Sequence, residues 1–444
     1  MFVEEGRVTI RAWATLAVLG TLYVLSFIDR FVIALLVRPL KAELALSDLQ
    51  LGLLFGTFFA LFYGALGLPI ARLADRRNRK WLVVGGVLLW SAATTASAFA
   101  VNYATLAGLR FGLAVGEAAL VPAAFSMLTD MFPPRCRIMA GTIFSACGML
   151  GASCAFLLGA AVLSWAEAHS ASVGISAWRL TFLAVGLPGT VIALVFALTA
   201  REPIRRESGA ASTMRGVLAY LGMNRRLYAG LFVGAGAAQM ISYAVLAWSV
   251  TLMERSFGLS SAVAGTRIGL ATVVASVGGT LIVPTLFHKV MDRSPVLASQ
   301  IPAVATGIGG ALIVVAATMS NATGFLFALT LGGFLLIGAT NAVVILVQPL
   351  APSEMRATLT ALVLICISGV GMGLGPPAVA VAASWWGDAA TSVAGGLGIV
   401  AAVGMIVAAG SFAMAIQPLC GALARMVASD RVTGFDRPEQ KGAE

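Results

Sequence analysis

Charge is what this sequence has least of. Asp, Glu, Lys and Arg together make up 11% of its 444 residues, against about 25% in a soluble globular domain. So few charges cannot cover a water-facing surface, which excludes an ordinary soluble fold. Histidine is almost missing too: His169 and His288 are the only two, and they are expected in loops on opposite faces of a membrane. They therefore cannot act as a catalytic pair or share a metal. The five cysteines, at 136, 147, 154, 366 and 420, are odd in number and contain no CxxC pair, so neither a disulfide framework nor a thiolate metal site is expected. No Walker lysine motif occurs, and the Gly-Ala-Gly at 234–236 lies inside an apolar run rather than after a strand. The chain thus carries no nucleotide fingerprint there, and ATP hydrolysis is not expected.

Apolar residues fill the space that charge leaves. Hydrophobic residues are 59% of the chain, mean hydropathy is +0.95, and the 49 glycines suit close helix packing in lipid. Stretches long enough to cross a bilayer, about 20 residues each, fall at 13–37, 49–71, 81–100, 104–127, 138–163 and 180–200, then at 227–252, 264–287, 296–318, 324–349, 357–383 and 391–419. The first is too long for a signal-peptide core and lacks a small-x-small cleavage site, so it is expected to remain as a span. The chain reads as an all-α polytopic membrane protein of twelve spans. Its expected parts are an N-terminal six-helix bundle (1–200), a linker (201–226), a C-terminal six-helix bundle (227–419) and a tail (420–444).

The net charge of +10 sits almost entirely in short loops, the pattern of membrane topology rather than of a nucleic-acid face. Twenty-two Lys and Arg residues fall on the side that holds both termini, five on the opposite side, and two inside spans. Positive-inside bias makes both termini cytoplasmic, in a plasma (inner) membrane. The halves also repeat. Arg72-Leu73-Ala74-Asp75-Arg76 after span 2 matches Lys289-Val290-Met291-Asp292-Arg293 after span 8, and Pro133-x-x-x-Arg137 after span 4 matches Pro352-x-x-x-Arg356 after span 10. Near-equal displacements, 217 and 219 residues, point to one six-helix unit used twice in parallel.

Four ionisable groups lie deep in spans: Asp29 and Arg30 in span 1, Arg110 and Glu117 in span 4. Each costs roughly 2.5–3.5 kcal/mol at a bilayer centre on insertion scales. Left unpaired, the four would use up the stability of a typical fold. They must pair, face a wet cavity, or both. At about 1.5 Å of rise per residue, Arg30 and Arg110 lie at similar depth, roughly 10 and 9 Å from the same membrane face. Glu117 is two turns further along the face of span 4 that carries Arg110.

Twelve spans in two sixes with ARLADRRNRK (71–80) between spans 2 and 3 resemble the major facilitator superfamily. Ala71 and Asn78 stand where its loop signature usually has glycine; Asn tolerates the left-handed backbone that glycine would supply. Within the superfamily, FIDRFVIALLVRPLKAELALSDLQLGLLFGTFFALFY, GLPIARLADRRNRK and LRFGLAVGEAALVPAAFSMLTDMFPP, most specific over 27–142, resemble the Spinster branch in its bacterial form. That resemblance implies alternating access, a cavity lined by spans 1, 4, 7 and 10, proton coupling, and lysolipid or sphingoid-phosphate substrates as in eukaryotic members. It also implies a gating role for the loop residues Asp75 and Arg76, repeated as Asp292 and Arg293.

On this reading Glu117, flanked only by small residues, and Asp29 carry protons. Arg30 and Arg110 hold an anionic head group, arginine being suited to two-pronged contact. Span 7 adds Gln239, Ser242 and Tyr243, and span 10 adds Asn341, with no acid or base at depth. The glycine-rich GVGMGLGPP (369–377) reads as a packed, kinked part of span 11. No cofactor or metal is expected. The expected partners are a small amphipathic or anionic substrate, protons and membrane lipids, with the chain as a monomer. A drug–proton antiporter or a carrier of organic or sugar acids shares these features. A membrane-embedded lipid-modifying enzyme would need a nucleophile–base set or metal ligands that the two separated histidines do not supply.

Overall fold

A computed structural model describes residues 3–4, 7–204, 214–352, 355–387 and 391–435. Beyond a two-residue ribbon pairing Val3–Glu4 with Arg7–Val8, the described chain is helical. Eleven helices are long and apolar enough to cross a membrane: Ile10–Leu35, Asp48–Ala74, Tyr103–Met131, Arg135–Val173, Ala177–Thr199, Arg225–Phe257, Ser261–Met291, Pro295–Thr318, Ala322–Val347, Thr358–Trp386 and Ser392–Arg425. These are spans 1, 2, 4 to 6 and 7 to 12. The expected third span is the 19-residue helix Arg79–Ser97. It is less apolar because it opens on Arg79-Lys80 and closes on Thr94, Thr95 and Ser97. Spans 4, 6 and the others around it bury that polar end.

Several helices run past the expected boundaries. Span 7 covers Arg225–Phe257, and span 8 covers Ser261–Arg293, so His288 lies in a helix and not in a loop. Span 5 extends from Pro134 to Val173, so His169 lies in a helix and not in a loop, its ring stacked on Trp165. The helix containing span 12 continues to Phe435, and the linker contains a helix, Met214–Met223.

The packing repeats as the loops do. In the first half span 1 packs on 5, 3 on both 4 and 6, and 2 on 4; in the second, 7 packs on 11, 9 on both 10 and 12, and 8 on 10. The halves meet through 5 against 8 and 2 against 11, contacts that exchange under the same twofold operation. Glycines carry the repeat into the packing itself. A Cβ on Gly86 or Gly116 would lie 2.7 or 2.5 Å from the other's carbonyl oxygen, and one on Gly309 or Gly332 would lie 3.0 or 2.9 Å from the other's. The first pair joins spans 3 and 4; the second joins 9 and 10. Only glycine allows backbones this close.

Closure lies on the face away from the termini. There Asp48, at the start of span 2, accepts both Arg255 guanidinium nitrogens at 3.0 and 2.9 Å, and Lys41 joins at 2.6 Å. Nearer mid-membrane, spans 2 and 11 each contain a π-helical turn, at Leu53–Thr57 and Ile367–Met372, and the two turns meet. Pro376 and Pro377 follow in span 11 and remove the N–H groups that would bond the Met372 and Gly373 carbonyls. Thr57 Oγ1 from the other half donates to the Gly373 oxygen at 2.6 Å. Gly56 lies so close to the Met372 oxygen that no side chain fits between them. GVGMGLGPP is thus packed and wound irregularly, as its composition suggests.

Candidate functional site

The intramembrane charges sit where helices are interrupted. The α-helix of span 1 ends at Phe31 and tightens into a 3-10 turn at Val32–Leu35. Its last α-type bond runs from the Val32 N–H to the Ile28 oxygen, so the next carbonyl, that of Asp29, has no backbone donor one turn on. Arg110 of span 4 fills that place, donating from Nη1 to the Asp29 carbonyl oxygen at 3.0 Å, with its guanidinium 5.8 Å from the Phe182 ring centre. Span 4 is interrupted as well: one helix ends at Glu117 and the next begins at Leu120.

Arg30 and Glu117 form a buried ion pair. Both Arg30 Nε, at 3.2 Å, and Nη2 donate to Glu117 Oε2, and the two side chains are 11% and 1% exposed. Rings of Phe59, Phe27 and Tyr63 surround the guanidinium at 4.1, 4.9 and 5.7 Å, an arrangement that stabilises a desolvated cation. The second Glu117 oxygen has no hydrogen-bond partner among the described residues.

Asp29 is fully buried. Among the described residues neither carboxyl oxygen has a partner in strict hydrogen-bond geometry, and its nearest neighbours are the charged Glu117 and Arg110 and the donor side chains of Thr94 and Trp90. A buried carboxylate without well-placed donors is far costlier than a neutral carboxyl group. Of the two acids, Glu117 is paired with a cation, whereas Asp29 has no ion pair among the described residues.

The second half reaches this cluster through span 7. Tyr243 stacks on Phe31, with ring centres 6.2 Å apart and planes 14° apart. A small cavity between the halves is lined by Arg30, Phe31, Phe55, Tyr243, Met372 and Pro376, among others. Gln239 packs its side-chain carbons against Gly371 of span 11. Asn341 donates to Thr280 Oγ1 of span 8 at 2.9 Å, a bond between helices within the second half. Asp29, Arg30, Arg110, Glu117 and Tyr243 therefore form one cluster, and Asn341 is engaged elsewhere.

Arg76 and Arg293 of the expected gating loops are exposed, whereas the side chains of Asp75 and Asp292 lie outside the described residues. Arg79 in the same loop differs from its basic neighbours Arg76 and Arg77, which are exposed. It is 1% exposed and donates to Glu202 at 2.7 Å, Asp130 at 2.5 Å, Ser126 at 2.9 Å and the Pro203 carbonyl at 2.9 Å. Its guanidinium is used up inside the protein, binding spans 3 and 4 to the start of the linker. Sequence reasoning also missed the aromatic residues around Arg30. Their signal is the four-residue spacing of Tyr23, Phe27 and Phe31 and of Phe55, Phe59 and Tyr63, which sets each trio along one helix face.

Two bundles of six related by an internal repeat meet at a cavity that Arg30 lines, an architecture that many secondary transporters share. A family model described as Major Facilitator Superfamily matches residues 19–376, and the chain belongs to that superfamily. Within it the chain is Spinster-like. It superposes on the crystal structure of a bacterial homologue of the human lysosomal transporter Spinster, in an inward-facing and unoccupied conformation. The TM-score is 0.83 at 25% identity, covering 94% of this chain and 99% of that one. An MFS-type efflux pump of Mycolicibacterium smegmatis is 32% identical over 288 residues, 64% of each chain. Protein spinster of Drosophila melanogaster is 25% identical over 196 residues, 44% of this chain and 31% of that protein. The chain thus spans less than two thirds of the length of these two relatives.

Proposed function

We propose that the protein is a proton-coupled secondary transporter that moves an amphipathic or organic anion by alternating access, with both termini in the cytoplasm. The observation that carries this reading is the buried Arg30–Glu117 pair, set beside the fully buried Asp29 at a cavity shared by both halves. Arg30 is held by one acid. An anionic head group reaching the cavity competes with Glu117 for the guanidinium, and a proton on Glu117 releases Arg30 to the substrate. The converse also holds, since anion departure favours ionised Glu117 re-pairing with Arg30. Substrate and proton are thereby linked through one cation. Apolar rings around Arg30 and the aliphatic wall from span 11 suit a chain attached to that head group, and this favours lysolipids and sphingoid phosphates over compact sugar acids.

The lysine and arginine bias supports cytoplasmic termini, and the likeness to a bacterial Spinster homologue supports a plasma (inner) membrane location. The gate of this reading is the loop pair at Asp75–Arg76 and Asp292–Arg293 on the cytoplasmic face. The expected division into bundles at 1–200 and 227–419 places the cavity at their interface.

Purified protein in liposomes with an imposed pH gradient tests the proposal. Lysophospholipid, sphingoid phosphate, sugar acid and cationic drug are offered in turn, and flux is followed with internal pH. Glu117→Gln is expected to abolish proton-driven flux while leaving the protein folded, because the amide still accepts from Arg30. Unchanged proton coupling in that variant overturns the assignment. A drug-only flux profile would replace the lipid reading with drug–proton antiport.

A further inference from the structure

The linker helix Met214–Met223 is ten residues long and joins span 7 through Asn224 alone. Its inner side is anchored. Val217 is fully buried, and Tyr220 Oη donates to the Leu350 carbonyl oxygen at 3.1 Å. Tyr228 of span 7 reaches the same oxygen at 3.4 Å and the Tyr220 hydroxyl at 3.3 Å. Leu350 is the last residue of the helix containing span 10, so its carbonyl is one of the unbonded groups of a helix end. These bonds fix the linker helix at the level where spans 7 and 10 leave the membrane.

The outer side carries the wrong residues for water. At 100° per residue, Met214, Leu218, Gly222, Arg215, Ala219 and Met223 fall on one half of the helix, in that angular order, and all are exposed. Leu218 is 60% and Met223 78% exposed. Arg215 is the single charge on this arc, and Arg225 and Arg226 follow at the first turn of span 7, both exposed. The outward arc thus carries Met214, Leu218 and Met223 with one arginine at its middle, and two more arginines follow at the helix end. A short helix of this kind, pinned at the level where spans 7 and 10 end, has the composition of an interfacial helix.

From this we infer that the linker helix is a docking site for anionic phospholipid. Met214, Leu218 and Met223 enter the acyl boundary of the leaflet on the terminal side, and Arg215, Arg225 and Arg226 bind lipid phosphates, Arg215 extending its stem to bring the guanidinium to the head groups. Lipid seated there presses Tyr220 onto Leu350 and so holds the end of span 10, two residues before Pro352 of the second-half repeat loop. The inference rests on the membrane placement of the spans and is independent of the transported substrate.

Spin labels placed by Leu218→Cys and Met223→Cys test this, in full-length protein whose five native cysteines are replaced by serine and whose unfolding temperature is unchanged. The protein is reconstituted in phosphatidylcholine vesicles with or without phosphatidylglycerol. The expected result is high accessibility to oxygen and loss of accessibility to a water-soluble nickel chelate when phosphatidylglycerol is present. Replacing the three arginines with glutamine should restore nickel accessibility. High nickel accessibility in both vesicle types means that the face points to water and overturns the inference. Low accessibility to both probes means that protein covers the face, with the same consequence. Equal insertion without phosphatidylglycerol overturns the assignment to anionic lipid.

Discussion

Arg110 shows how much one side chain can be asked to do. From the sequence it is half of an anion clamp; in the structure its guanidinium bonds the main-chain carbonyl of Asp29, and a ligand must share it with that bond. Arg110→Ala leaves a buried carbonyl unsatisfied, a penalty of about 1–3 kcal/mol, so a lower unfolding temperature is expected together with weaker binding. If Arg110 also touches the head group, affinity for a lysophospholipid falls far more than affinity for a neutral lipid of equal chain length; equal losses mark it as structural alone. Arg110→Lys should rescue only partly, because an ammonium lacks the planar fork.

Glu43, before span 2, offers a pH-dependent case outside the spans. Partial burial acts to raise its pKa, but hydrogen bonds from Trp178, Arg179 and Ser176 outweigh that and hold it below the usual carboxylate range. A depressed pKa means the stabilisation is fully present above about pH 4.3, the usual glutamate value, and fades as pH falls through the lowered value. Wild type and Glu43→Gln should therefore differ in unfolding temperature at neutral pH and converge in acid. The half-exposed setting limits the difference to about 1 kcal/mol. A gap that persists below pH 3 would contradict this account.

Among the elements, spans 2 and 11 hold the closed face together through irregular backbone. The two prolines of span 11 leave carbonyls that the other half must cover, and Thr57 covers one of them. Thr57→Val keeps the shape but removes the donor. One neutral hydrogen bond is worth about 0.5–1.5 kcal/mol, so the population open on the non-terminal face should rise roughly 2- to 12-fold. Double electron–electron resonance between labels on that face reads the shift directly; an unchanged distance distribution would show that the Thr57 bond does not favour closure. Thr57→Ser, which keeps the hydroxyl, should behave as wild type.

For the whole molecule, closure depends on the ion pair between halves formed by Asp48 and Arg255. Both groups are partly exposed, so the pair is worth about 0.2–1 kcal/mol and weakens with salt. Asp48→Asn should shift the equilibrium toward opening of the non-terminal face by a few-fold at low ionic strength, with the difference from wild type shrinking as salt rises. Labelling of an introduced cysteine near Ala45 from that side measures it, and a salt-independent effect would assign the change to local misfolding.

The twelve spans, their order and the twofold repeat were legible in the sequence, because lipid demands about 20 apolar residues per crossing and the repeated loops stand at nearly equal displacement. The four deep charges were legible for the same reason: apolar surroundings make any ionisable group conspicuous. Their pairing was not. Whether Arg30 meets Asp29 beside it or Glu117 three spans away depends on where each helix is interrupted, and a 3-10 turn or a break at Glu117 leaves no mark in composition. Arg79 looked like its basic neighbours Arg76, Arg77 and Lys80, and only packing against Asp130 and Glu202 sets it apart. Local sequence decides what enters the membrane. Contacts between residues far apart in the chain decide which charges neutralise each other there, since electrostatic pairing falls off with distance in space and takes no account of distance along the chain.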